Sequence, residues 1–295
     1  MKLINQNVEE WHCGYTLPEI WSHIAKCARV CYQSKPRNNG ETDEEFVKRV
    51  VLHNHFIDEI GESRDLQLRL HLSVLEHGTV YLDIPCEEDT LKSITFFTNN
   101  SYSKYNCSID NHYYITTNMR VIIENNLMDI LHYITKPNIF YYLRTTFNII
   151  TDIGVARELA RHRTHSISEE STRYCNYGKS KFGNELTFII PEWVETRCPN
   201  AEHSYPSSAD IYWFSACKEA ESNYLRLLEN GWTPQQARQI LPLSTKVQTI
   251  HTAFDTNWEE FIKLRADVCS GSVHPNMKVI ADKIKCLMSK ESAAL

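Results

Sequence analysis

A mixed α/β (α+β) fold, one domain over residues 1–295 with a central sheet flanked by helices, is what this sequence predicts. Three observations predict it. Segments with helical apolar spacing alternate with β-branched, aromatic segments, but without a strict βαβ repeat. Hydrophobic residues make up 42% of 295 residues, enough for a sizeable core. No repeat, low-complexity tract or Pro/Gly-rich linker divides the chain, and it holds only nine glycines.

Taken in order, residues 18–32 place Ile20, Ile24, Ala28 and Cys31 at helical spacing. A polar turn follows, and Thr42 with Glu45 forms a capping-box pattern opening a helix over 43–61. The stretch 72–85 shifts to β-branched and aromatic residues and predicts a strand at Thr79–Ile84. Residues 86–118 are polar and tyrosine-rich, an excursion with short strands, and 119–134 predicts a helix. Residues 141–151 predict a buried strand, 154–163 a helix, and 182–193 a strand or extended loop. From 208 onward the pattern is helical: a long helix stopped by Gly231, a turn of helix opened by Pro234, and two closing helices.

Composition excludes several classes of function. A formal charge of −6 and a pI near 6.1 disfavour a general polyanion binder, so RNA or DNA is not an expected partner. No apolar run approaches membrane-spanning length, and the start of the chain has no apolar signal core. The ten cysteines show no C-x-x-C pair, so reduced thiols in a soluble cytoplasmic protein are expected. There is no G-x-G-x-x-G, no phosphate loop, no H-E-x-x-H and no G-x-S-x-G.

What remains is a basic segment in an acidic chain, residues 161–175, RHRTHSISEESTRYC. Arg157 and Arg161 lie four apart and Glu158 and Arg161 three apart, with Val155 and Leu159 on the opposite face. Guanidinium groups suit phosphate or carboxylate, and Ser171 and Arg173 add a hydroxyl and a further fork. On the residues alone the segment fits a salt-bridged surface helix with a capped turn as well as it fits an anion cradle. A Ser171–His162 nucleophile pair has no third group at a recognisable spacing. A metal set drawn from His71, His77, His162, His165 and Glu169 is an accident expected among thirteen histidines, and no metal is expected.

R-H-R followed by Ser at this spacing resembles the signature of the flavin-dependent thymidylate synthases. Four further segments resemble that family in the same order: AKCARVCYQS, HLSVLEH (71–77), LLENGWTPQQARQILPL and FIKLRAD. The resemblance spans about 20–85 and 145–285, with an insertion at about 86–140. It implies that family's type of fold and the reductive methylation of dUMP to dTMP. Methylenetetrahydrofolate would give the carbon, FAD would be the cofactor and NADPH the reductant. It also implies a homotetramer with shared active sites.

Residue by residue, the resemblance implies that Arg265 favours ionisation at N3 of the uracil and that His71 lies near the flavin ring. Glu158, Arg161, Glu169, Glu170, Ser171, Thr172, Arg173, Arg238 and Arg265 would hold dUMP. Ser73, Arg161, His162, Arg163, Glu169 and His274 would contact FAD. The chain departs from the family at Glu158, where many members carry Gln, and at His165, Ile167 and Ser168. It departs again at Phe254, Asp255 and Thr256, where an Asn-x-Arg flavin contact is expected. These departures leave open a non-catalytic or altered-substrate paralogue of the same fold.

Overall fold

A computed structural model describes residues 1–36, 40–51, 72–108, 111–195, 207–267 and 273–291. The His71 assignment and the second half of the helix expected over 43–61 lie outside these residues. Two short strands open the chain, β1 (Lys2–Ile4) and β2 (Asn7–Glu10). Helix α1 (Leu17–Tyr32) follows, with Pro at its start and Gln33 in the left-handed region at its end (φ 49°). The capping box expected at Thr42 is present in α2 (Asp43–Val50), where Glu45 N donates to Thr42 Oγ1 at 3.2 Å.

A 3-10 helix (Leu72–His77) leads through Gly78 into β3 (Thr79–Pro85). A Cβ at Gly78 would lie 2.5 Å from Ile24 Cδ1, so only glycine lets this corner approach α1. The excursion holds α3 (Leu91–Asn99), β4 (Lys104–Cys107) and β5 (His112–Asn118). A helix was not expected there; burial of Ile94 and Phe97 against the core outweighs the β-favouring residues around them. The single helix expected over 119–134 is two: α4 (Met119–Glu124) and a 3-10 turn (Met128–Tyr133), parted at Asn126, whose φ is 55°.

Next come β6 (Arg144–Asp152), α5 (Ile153–Leu159), β7 (Ser166–Glu169), β8 (Thr187–Ile189) and α6 (Glu192–Glu195). Then follow α7 (Ser208–Glu229), α8 (Pro234–Ala237), β9 (Lys246–Phe254), α9 (Asp255–Arg265) and α10 (Pro275–Glu291). Gly231 stops α7 as expected, at φ 89°. The wholly helical tail is corrected by β9, a nine-residue strand that lies inside the largest sheet.

That sheet is antiparallel with strand order β2-β6-β9-β7. In place of one central sheet there are three among the described residues, the others being β3-β5-β4 and the parallel pair β1-β8. The four-stranded sheet is covered on both faces. Ile250 faces the cluster built on α1, the 3-10 helix and β3, while Phe147, Ile149 and Ala253 face Trp258, Phe261 and α10. Alternation along β6 and β9 therefore sends apolar side chains both ways.

Candidate active site

The basic segment begins where α5 ends. Asp152 accepts from Val155 N at 2.8 Å and from Asn276 Nδ2 at 2.8 Å, fixing the start of α5. Leu159 closes it, so Arg161, His162 and Arg163 lie beyond the helix rather than on its face, and β7 carries the next residues. Arg161 and Arg163 are exposed, and no ion pair engages either among the described residues.

Across 103 residues of sequence, Arg265 reaches this turn from the end of α9. Its Nε donates to His162 Nε2 at 3.3 Å, and its Nη1 donates to Glu158 Oε2 at 3.3 Å. His162 must accept there, so its proton sits on Nδ1. Burial, then the Arg265 charge, hold its pKa below the ordinary value. Its ring meets Phe261 edge-on at 4.8 Å, which anchors the turn to α9.

A second histidine layer lies behind the first. His165 stacks on His162 at 5.7 Å, lies 4.2 Å from the Trp258 ring and faces His251 with Nδ1 atoms 3.4 Å apart. On the other sheet face His77 bridges Thr252 Oγ1 (2.8 Å) and Ser168 Oγ (2.9 Å). Burial depresses His77 and His251 well below the ordinary value and His165 to about 3, so all three are neutral near neutral pH.

The end of β7 turns into the loop expected to hold the nucleotide. Glu169 is open to solvent but ringed by protein; desolvation and then Glu170 lift its carboxyl to about 7, while Arg157 opposes them. Glu170 points inward, accepting from Tyr177 Oη (3.0 Å), Lys246 Nζ (2.5 Å) and Gln248 N (3.2 Å). Ser171 N donates to Cys31 O at 3.0 Å, and Ser171 Oγ accepts from Arg173 N at 3.3 Å. Arg173 Nε donates to Gln235 Oε1 (2.9 Å), and Arg238 Nη1 reaches Thr172 Oγ1 (3.5 Å).

Two groups of expected residues are thus assembled: Glu158, His162 and Arg265, and Ser171 to Arg173 with Arg238. Ser73 is exposed on the 3-10 helix that packs against β7. His274 instead lies against Trp193 at 5.7 Å, and no contact among the described residues joins it to Arg265. The carboxylate of Glu170 and the amides of Glu170 and Ser171 already have protein partners, which leaves less of this backbone for a ligand than expected.

Arg144 was missed. It opens β6 and donates to Glu76 O (3.1 Å), Thr79 Oγ1 (3.2 Å) and Ser166 Oγ (3.4 Å), tying β3 to the start of β7. The signal was a lone arginine heading an apolar strand. Gln235, the partner of Arg173, carried no signal of its own.

The family model described as thymidylate synthase complementing protein matches residues 84–292. It covers R-H-R, A-R-x-x-L-P and L-R-A-D but leaves AKCARVCYQS and HLSVLEH outside. A protein of Thermosipho melanesiensis named flavin-dependent thymidylate synthase is 30% identical over 130 residues, 43% of this chain and 56% of that protein. One of the same name from Tropheryma whipplei is 31% identical over 176 residues, 52% of this chain and 69% of that protein. A third, from Dictyostelium discoideum, is 21% identical over 229 residues, 77% of this chain and 72% of that protein. The chain therefore spans little more than half the length of the first of these relatives. A solved UMP/dUMP methylase from Streptomyces cacaoi, bound with 5-Br dUMP, aligns over 98% of this chain and 93% of that one. Its TM-score is 0.44 and its identity 18%, a likeness that carries no argument.

Proposed function

We infer from one fact, that this chain belongs to the thymidylate synthase complementing protein family, that it is a flavin-dependent thymidylate synthase. It would methylate dUMP reductively at C5 with methylenetetrahydrofolate as carbon donor, FAD as cofactor and NADPH as reductant. The meeting of Arg265 with His162 supports this reading. It joins the L-R-A-D and R-H-R segments, far apart in sequence, into one cationic corner.

In this reading the Arg265 fork lies against the uracil edge, where a fixed cation favours ionisation at N3 and enriches C5. Carbon can then bond to C5 without a protein nucleophile. Ser171, Arg173 and Arg238 surround one loop and would hold the phosphate and sugar. Arg161 and Arg163, charged and without ion pairs among the described residues, fit the pyrophosphate of FAD. Bound flavin, once reduced, would supply the hydride that completes the methyl group.

The assembly belongs to the same proposal. Helix α7 exposes Ile211 (51%), Tyr212 (76%) and Phe214 (43%), apolar surface that a homotetramer would cover. Light scattering should then give a mass near four times that of the chain. No helix among the described residues is long and apolar enough to cross a membrane, and a cytoplasmic location is proposed with the rest.

One observation favours the paralogue reading instead. The segment at Phe254, Asp255 and Thr256 is engaged within the protein, Thr256 Oγ1 by Lys104 Nζ (2.7 Å) and Asp255 Oδ1 by Thr145 Oγ1 (2.7 Å). The test is direct. Purified protein should be yellow, its flavin colour should bleach with NADPH in the presence of dUMP, and it should rescue a thymidine-requiring host. Arg265→Ala should abolish rescue while the protein stays folded. Protein that stays colourless after incubation with FAD sinks the enzyme reading; yellow protein without rescue selects the paralogue.

A further inference from the structure

We propose that Glu158 is a positioning residue that aims the Arg265 guanidinium, an inference that rests on the dUMP-methylating reading above. Arg265 is the last residue of α9 and Glu158 lies in the last turn of α5. Both side chains therefore stand near a carbonyl-rich helix end, where a cation is favoured and a carboxylate is not. Glu158 is accordingly held there by its partner rather than by its own helix. The pair is part-exposed, 35% for Glu158 and 25% for Arg265, so it adds little to stability as a surface ion pair.

Its geometry does more. A guanidinium held at one nitrogen can swing about that bond. Arg265 is held at two, Nε by His162 and Nη1 by Glu158. Two anchors on different nitrogens fix the plane and leave Nη2 without a hydrogen-bond partner among the described residues. His162 is itself locked by Phe261 and by the stack on His165, so Glu158 is the adjustable anchor. Of the arginines at 157, 161, 163 and 265, Arg265 alone bonds the Glu158 carboxylate among the described residues. The required property is an acceptor oxygen at that place, which a glutamine amide can also present.

The test uses full-length protein loaded with FAD, with Glu158→Ala, Glu158→Gln and Glu158→Asp beside the wild type. Misaiming a group that acts at the reacting ring lowers kcat rather than substrate affinity. Glu158→Ala should lose at least about tenfold in kcat with the KM for dUMP within about threefold, and Glu158→Gln should restore most of the loss. Flavin absorbance and the melting curve, which report loading and folding, should not move. Wild-type kcat in Glu158→Ala overturns the proposal. So does a rise in KM alone, which would make Glu158 a direct substrate contact, or a Gln variant as poor as Ala, which would make the charge itself essential. Should Glu158→Ala not fold, Glu158→Asp carries the test: its shorter arm should cost at least about threefold in kcat, and wild-type kcat overturns the proposal. A wild-type protein with no methylation at all refutes the parent reading and is told apart by that control. In that event, dUMP-independent hydrogen–deuterium exchange at the 158–165 turn still reads the anchor: it should rise in Glu158→Ala and return to the wild-type level in Glu158→Gln.

Discussion

Glu170 is a buried carboxylate, 2% exposed, with three donors on it from Tyr177, Lys246 and Gln248. Truncating one partner of a buried ion pair leaves the other uncompensated. Glu170→Ala should therefore cost about 3 kcal/mol in urea denaturation, with a smaller loss in Glu170→Gln. Next to it, Ser171 Oγ already accepts from Arg173 N and still has lone-pair and donor capacity for a ligand. Ser171→Ala should weaken dUMP binding by about tenfold in calorimetry with turnover retained at saturation. Lost turnover with unchanged dUMP affinity would instead make Ser171 a nucleophile. These neighbours show what was legible at this scale. Ser171 stands at a spacing from R-H-R that can be read along the chain. Glu170 was grouped with the ligand loop because Lys246, the partner that turns it inward, lies 76 residues away.

Helix α7 was legible because its helical spacing and its stop at Gly231 are local signals, while its cap at Ser207 went unread. Ser207 Oγ accepts from Asp210 N at 3.2 Å, and Ser207 N donates to Asp210 Oδ2 at 3.1 Å. Ser207→Ala should lower stability by about 1 kcal/mol, read as a shifted urea midpoint with an unchanged slope. An unshifted midpoint would mean that packing of Cys217 and Tyr224 alone sets where α7 begins. Strand β9 was not legible. Lys246, Gln248, Thr249, His251 and Thr252 put polar groups on both of its faces, so no alternation shows. Those groups are satisfied only by elements elsewhere, Glu170 for Lys246 and His77 for Thr252 among them. Helix α3 failed for the opposite reason, since local β propensity gave way to burial of Ile94 and Phe97.

At the scale of the whole molecule, the same β9 sheet gathers histidines that carry no charge. His77 and His251 are fully buried, and burial first, then neighbouring histidines and, for His77, also Arg144, push them well below the ordinary value of 6.5. His165 is pushed down to about 3 and His23 to about 4. When the chain unfolds, each of them takes up a proton below pH 6.5 that the folded protein refuses. The unfolded state then binds more protons, so stability rises with pH up to about 6.5 and falls as pH drops below it. Each such histidine steepens the fall by at most about 1.4 kcal/mol per pH unit. Glu169 acts in the other direction. Its folded pKa, about 7, lies above the 4.5 of the free carboxyl, so its contribution is present at low pH and is lost as pH rises from 4.5 to 7. Urea midpoints measured between pH 4 and 8 should therefore climb toward neutrality in the wild type. The climb should be shallower in His165→Phe, which removes a titrating site while keeping a ring against Trp258. It should be steeper in Glu169→Gln, which removes the opposing group. A His165→Phe slope equal to the wild type would show that the histidine layer takes up its protons without unfolding, and that the sheet is open to water where the structure places it closed.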